Sequence, residues 1–353
     1  MPAASVDQIL EALDPEQREV VTAVRGPVCV IAGAGTGKTR VITHRIAYAI
    51  AVGVTDSSKT LALTFTARAA GEMRARLRGL GIPNASARTF HSAAIKQLMY
   101  FWPYAFGGSF PSLLTMKSGA IAEALNRTDS ALTPQTSTLR EIASEIEWAK
   151  VLEISPDEYV ESALGAGRTL RIPNNRPDKA NFEDISKVYQ SYETLKQQER
   201  AIDFEDVLLL TVGMLEEDRD VRERVRDQYR YFTVDEYQDI SSLQQRVLDL
   251  WLGKRKEICV VGDPSQNIYS FAGSTAQYLT GFSQKYPDAK VLRLTNNYRS
   301  TPHIIHLANS IEDRELSAAR TATTKAHRAP QLTEYRDEQQ EIETICHQIS
   351  DLI

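Results

Sequence analysis

The sequence predicts an α/β protein: a mostly parallel sheet covered by helices on both faces, with a helical subdomain inserted into it. Three observations predict this. Short apolar, β-rich runs alternate with segments of helical period. A glycine-rich turn follows one of those runs, and acidic residues end two others. Between about 95 and 200 the chain has helical periodicity and little strand character. Strands alternating with helices imply parallel pairing buried on both faces.

Residues 28–32 (VCVIA) form the first apolar run and lead into a glycine-rich turn. From 39 to 51 the apolar residues Val41, Ile42, Ile46, Ala49 and Ile50 fall on one helical face. Residues 60–64 (TLALT) read as a second strand, followed by a helix over 67–78. The long helical stretch shows apolar spacing at Ile142, Ile146 and Ala149 and at Val188, Tyr192 and Leu195. It contains the polar connection RIPNNRPDKANFED, which reads as a loop. Residues 232–235 and 258–262 are two more short strands with acidic ends, and 291–294 is a further candidate.

A chain of 353 residues suits two or three domains. Its 42% hydrophobic and 25% charged content is that of a soluble globular protein. The sequence has no apolar run long enough for a membrane span and no signal-peptide pattern at its start, so a cytoplasmic protein without a membrane partner is expected. Cys29, Cys259 and Cys346 lie far apart without metal-ligand spacing, and the first two read as core residues. A net charge of −5 does not announce a nucleic-acid binder, although a groove can be locally basic on an acidic protein.

Residues 32–39 read AGAGTGKT. This is the pattern Gly, four residues, Gly-Lys-Thr, with Ala32 in place of the first glycine. Gly33, Ala34, Gly35, Thr36 and Gly37 let backbone N–H groups turn inward around phosphate oxygens. Lys38 reaches the β- and γ-phosphates, and the Thr39 hydroxyl ligates Mg²⁺, a cation that prefers hard oxygens. The helix that follows points its positive end at the anion. The motif therefore predicts ATP and Mg²⁺ as ligands.

Residues 231–239 read YFTVDEYQD. An apolar strand delivers Asp235 and Glu236 to its carboxyl end, where open α/β sheets bind ligands. Asp235 holds Mg²⁺ in this reading, and Glu236 orients or deprotonates the attacking water. The second acidic end, ICVVGDPSQ at 258–266, offers Gln266 as a sensor of the γ-phosphate.

Together these segments resemble the UvrD/Rep/PcrA group of superfamily 1 DNA helicases. LDPEQREVV (13–21) looks like the group's adenine-reading element, which makes Gln17 an adenine contact. AGAGTGKTR (32–40) matches motif I, with Arg40 an additional nucleotide contact. TLALTFTARAAGEMRARL (60–77) and TFHSAA (89–94) match motifs Ia and Ib, and IDFEDVLL (202–209) the Asp-Phe element before motif II. VDEYQD (234–239), VVGDPSQNIYSFAG (260–273) and LTNNYRST (294–301) match motifs II, III and IV in order. The resemblance implies that Tyr298 stacks on adenine and that Arg299 stabilises the transferring phosphate. It implies a single-stranded DNA groove lined by Phe65, His91, Tyr269 and Phe271, with Thr64 and Thr89 on phosphates. Aromatic faces stack on any base, so their chemistry suits that role.

The same resemblance implies a RecA-like P-loop NTPase lobe over 1–95 and 200–275, a helical insertion over 96–199, and the start of a second RecA-like lobe over 276–353. The activity it implies is ATP-driven 3′-to-5′ movement on single-stranded DNA and unwinding of duplex, in the company of repair or replication proteins. Basic residues of the insertion (Arg168, Arg171, Arg176, Lys179) are candidates for touching duplex. Two departures stand out. Motif III carries Phe271-Ala272 where the family usually has Trp-Arg, and no motif V or VI precedes Ile353. The expectation is therefore a helicase fragment with impaired motor activity. The competing expectation is a nucleotide- and DNA-binding regulatory protein without turnover. A P-loop small-molecule kinase gives no reason for Gln17, Asp-Glu-Tyr-Gln-Asp and Asn-Tyr-Arg to occur together.

Overall fold

The computed structural model describes residues 4–174, 176–268, 273–311, 317–318 and 329–351. Tyr269 and Phe271, both expected in a DNA groove, lie outside the described residues. The chain divides into two compact units, 1–33 with 37–294, and 34–36 with 295–353.

The first unit is built on a six-stranded parallel sheet. Its strands are β1 (Val28–Ala32), β2 (Thr60–Thr64), β3 (Ser86–Thr89), β6 (Tyr231–Val234), β7 (Ile258–Gly262) and β8 (Lys290–Leu294). Their spatial order is β3-β2-β6-β7-β1-β8. The two-residue strands β4 (Ser112–Leu113) and β5 (Ala201–Ile202) pair separately, where the chain leaves and re-enters the sheet domain. Every residue of β2, β6 and β7 is buried, as two covered faces require.

Helices α1 (Val6–Glu11), α2 (Pro15–Thr22), α3 (Lys38–Ala51) and α4 (Ala67–Gly79) cover one face. Their Ile9, Val21, Ile42, Ile46 and Met73 pack on Val30, Ala62 and Ala87 of the strands. Helices α5 (Phe90–Ala105), α10 (Phe204–Glu217), α11 (Arg219–Gln228) and α12 (Ser242–Leu252) cover the other. There Leu98, Leu208, Val225 and Trp251 meet Leu61, Leu63 and Phe232. Alternate strand residues thus feed opposite cores.

Helices α6 (Lys117–Asn126), α7 (Thr136–Val151), α8 (Pro156–Gly165) and α9 (Asp178–Glu199) make the insertion. They have their own core, with Ile121, Ile142, Ile146, Tyr159, Phe182 and Tyr192 fully buried. A polar cluster joins the insertion to α10. Lys150 on α7 donates to both carboxylate oxygens of Asp203 at 2.8 Å, and Lys196 on α9 donates to Asp203 and Asp206 at 3.2 and 2.6 Å. Lys117 on α6 pairs with Glu205 and Glu147.

Short helices α13 (Gln277–Thr280) and α14 (Phe282–Lys285) lead into β8, which pairs with β1 over Val28–Ala32. The sheet therefore continues past 275, where the sequence reading ended the first lobe. Contacts divide the chain at 294/295 instead. The second unit contains β9 (Asn296–Asn297), α15 (Pro302–Ile311), β10 (Ser317–Ala318) and α16 (Glu338–Ser350). No helix among the described residues is long and apolar enough to cross a membrane.

Candidate functional site

The loop after β1 has the conformation its glycines permit. Gly35 and Gly37 sit at φ +75° and +89°, in the left-handed region. Gly37 is the N-cap of α3 and makes no side-chain cap bond to the first turn of that helix. N–H groups of a first turn point along the helix axis, where an anion would be favoured. A Cβ on Gly37 would come within 3.0 Å of Gln17 Nε2, so the Gln17 amide lies against the loop. Gln17 is held there by a reciprocal cap with Asp14 at the start of α2. Arg40 instead donates to the carbonyl of Ala12 at 2.7 Å, tying α3 to the end of α1. That bond uses one Nη2 donor of the five on the guanidinium.

Strands β6 and β7 bring the acidic ends up beside the loop. Lys38 Nζ lies 3.0 Å from Glu236 Oε2. Asp235 follows β6 directly and its N–H donates to Leu63 O at 2.8 Å. Asp235 is only 6% exposed. Burial pushes its carboxyl up to about 7; the Glu236 charge adds to this, while Lys38 opposes it. Glu236 is not glycine yet has φ +51°, a strained conformation that neighbours must hold. Gln238 helps to hold it. Its Nε2 donates to Glu236 Oε2 at 3.0 Å and to Asp239, while its Oε1 accepts from the Asp263 N–H at 3.0 Å. A Cβ on Gly262 would meet Gln238 Oε1 at 2.6 Å, so glycine is needed there. Gln238 thus bridges the ends of β6 and β7, a role the sequence reading did not assign. Gln266 caps back onto Asp263, Nε2 to Oδ2 at 2.5 Å, and must release it to reach a phosphate.

Residues expected on DNA gather at the carboxyl ends of β2 and β3, which pair Thr64 with Thr89. Phe65 is 39% exposed. Thr64 is buried, and its hydroxyl has no hydrogen-bond partner among the described residues. A phosphate contact by Thr64 therefore needs the strand end to open. Thr89 caps α5 reciprocally with Ser92. His91 stands edge-on to Phe204, with centroids 6.0 Å apart, and Phe204 is exposed. Phe204 extends the aromatic set; its signal was the Asp-Phe pair itself, where Asp203 caps α10 and leaves the next side chain at the helix tip. A small cavity lined by Thr64, Phe65, Asp235 and Glu236 lies between this aromatic end and the carboxylates.

Of the insertion's basic residues, Arg168 is taken up by Glu145 and the face of Trp148, and Arg176 by Asp184. These two serve the insertion's own structure. In the second unit, Asn297 Nδ2 donates to Ala34 O at 2.7 Å, and the Tyr298 N–H to Gly35 O at 2.9 Å. A Cβ on Gly35 would meet Asn297 at 2.8 Å and Arg299 Cβ at 2.9 Å. Part of the glycine-rich loop is therefore bonded to the segment carrying Tyr298 and Arg299.

The family model described as UvrD/REP helicase N-terminal domain matches residues 13–287. The chain belongs to the UvrD/Rep helicase family. It is 45% identical to the ATP-dependent DNA helicase UvrD2 of Mycobacterium tuberculosis (strain ATCC 25618 / H37Rv), over 98% of this chain and 51% of that protein. It is 31% identical to the ATP-dependent DNA helicase PcrA of Staphylococcus epidermidis, over 87% of this chain and 40% of that one. PcrA of Staphylococcus aureus is 30% identical over 94% of this chain and 45% of its own length. This UvrD/Rep family chain thus spans about half the length of the relatives it matches. The six-stranded parallel sheet agrees with the RecA-like lobe that the family resemblance implied.

Proposed function

We propose that this chain is the ATP-gripping half of a DNA translocase. One observation carries the reading: Lys38 and Glu236, 198 residues apart in sequence, meet at 3.0 Å. The lysine neutralises β- and γ-phosphate charge, and the carboxylate orients or deprotonates the attacking water. A carboxyl as far from water as Asp235 ionises at lower cost beside a divalent cation. With the Thr39 hydroxyl it offers hard oxygen donors, a set that fits Mg²⁺. Bound there, Mg²⁺ would offset charge on the phosphates. Gln17 reads adenine beside Gly37, with Arg40 as a further contact. Gln266, Tyr298 and Arg299 complete the nucleotide site on the strength of the family resemblance.

Single-stranded DNA crosses the carboxyl ends of β2 and β3 in this reading, stacking on Phe65, His91 and Phe204. Its phosphates meet the Thr89 end of α5, with duplex DNA ahead of it. Movement is 3′ to 5′, and it serves repair or replication. The chain alone binds Mg–ATP but turns it over weakly, because the relatives called helicases are about twice as long.

The test is an ATPase assay with and without oligo-dT, beside a Lys38→Ala control. Turnover that DNA stimulates, that falls steeply with salt and that vanishes in Lys38→Ala supports the proposal. Turnover unchanged in Lys38→Ala overturns the site. ATP binding without any turnover points instead to a regulatory protein.

A further inference from the structure

Strand β3 ends the sheet, with β2 as its one strand neighbour among the described residues. A cavity of about 610 Å³ runs along that free edge, between α4 on one face and α5 on the other. It extends from Thr89 and Ser92 at the carboxyl end down to Ser58 and Tyr229 at the amino ends of the strands. A second cavity of about 470 Å³ continues it along α5 and shares Lys96, Gln228 and Tyr229 with the first.

Four cations line the pair of cavities: Arg74, Arg88, Lys96 and Arg224. No aspartate or glutamate lines either one, although the chain carries 46 acidic residues. None of the four cations is ion-paired with a described residue. Arg74 donates to the Ala87 carbonyl on the strand edge, and Arg88 to the Ser86 hydroxyl. The lower cavity is walled by aromatic rings, among them Tyr229 and the 69% exposed Tyr100. An edge strand offers a row of backbone groups to another chain, and natural proteins cover such edges or guard them with charge.

We propose that this cleft docks an acidic, extended segment of a partner protein, which adds to β3 as a further strand. Backbone pairing with β3, in which the segment takes the Ala87 carbonyl over from Arg74, supplies register. Alternate side chains of the segment then face Arg74 on one side and Lys96 on the other, since α4 and α5 cover opposite faces. An apolar residue at one end enters the pocket beside Tyr100. A peptide fits this edge better than nucleic acid does. The hydrogen-bonding edge matches a peptide backbone, and the cleft shares only its Thr89 end with the proposed DNA path before running down toward Ser58 and Tyr229.

The test is fluorescence anisotropy of the whole chain with a labelled octapeptide of seven glutamates that ends in phenylalanine, so that carboxylates face both sides of the strand. The same peptide with lysine for glutamate is the control, and oligo-dT is the competitor. The expected result is saturable binding of the acidic peptide alone, with slowed amide exchange at 86–89. Lys96→Glu, Arg88→Glu and Tyr100→Ser should each weaken binding about tenfold. Lys96 and Tyr100 are exposed, so those variants keep the fold, as a thermal melt checks. Absence of binding, equal binding of the lysine peptide, or unchanged affinity in all three variants overturns the proposal. Displacement by oligo-dT makes the cleft a nucleic-acid site and overturns it equally. No step of the test uses ATP, so failure of the motor reading leaves this one standing.

Discussion

Replacing Lys150 by methionine keeps most of the side chain's volume and removes its charge. Lys150 is 2% exposed and Asp203 is fully buried. The ammonium donates to both Asp203 oxygens and to Asp206. Removing one partner of a buried pair costs roughly 3–5 kcal/mol, because the other charge is left without compensation. Lys196 still reaches both carboxylates, so the cost should sit near the lower bound, about 3 kcal/mol. For domains of this order, 1 kcal/mol shifts the melting temperature by roughly 2–4 °C, which gives a fall of about 6–12 °C. Thermal unfolding followed by circular dichroism measures it. The pH dependence adds a second check. Burial alone would raise the Asp203 carboxyl, but Lys150, Lys196 and Lys117 outweigh it and hold it far below the usual carboxylate range. Its stabilisation is full above the unfolded value of about 3.9 and is lost as pH falls further, toward the folded value. The melting-temperature gap between wild type and Lys150→Met should therefore be flat near neutrality and close below about pH 4. A fall under about 2 °C at pH 7 would refute the claim that this cluster clamps the insertion to α10.

Gln238→Ala leaves the buried Asp263 N–H without its acceptor and frees the Glu236 carboxylate. We predict nucleotide affinity near wild type with turnover down about tenfold or more, since a misplaced catalytic group costs rate before binding. Equal losses in both, read from steady-state kinetics, would make Gln238 merely structural. His91 should be neutral at pH 7, because burial, and after it the Lys117 charge, lowers its imidazole to about 4. Folded protein then takes up this proton later than unfolded chain does, so stability declines as pH drops from about 6.5 toward 4. A proton NMR titration of His91 with a midpoint above 6 would contradict the half-buried placement beside Phe204.

The strands at 28–32, 60–64 and 258–262 were legible because buried parallel strands read as unbroken apolar runs. The phosphate loop was legible because its glycines and lysine keep a fixed spacing. Strand β3, reading SART, was not legible. An edge strand of small and basic residues has neither an apolar run nor a full alternation. The pairing of 290–294 with β1 was hidden too. The strand itself was visible, but its partner lies more than 250 residues away and no local signal names it. The burial of Lys150 and Lys196 carries no local signal, since lysine is rarely buried unless paired and their partners come from another element. Gln238 could not be singled out because its role depends on Asp263, which arrives from another strand. Arg40 was legible as part of a motif, but its present bond to Ala12 comes from tertiary packing of α1 on α3.

The proposed motor site needs one magnesium–triphosphate held jointly by the loop at Lys38 and the carboxylates after β6. Electron paramagnetic resonance with Mn²⁺ in place of Mg²⁺ tests this most directly. The expected result is one tightly bound Mn²⁺ per chain that appears only with ATP, shows coupling to phosphate phosphorus, and is lost in both Lys38→Ala and Asp235→Asn. Mn²⁺ bound equally well without ATP, or kept in Asp235→Asn, would contradict it.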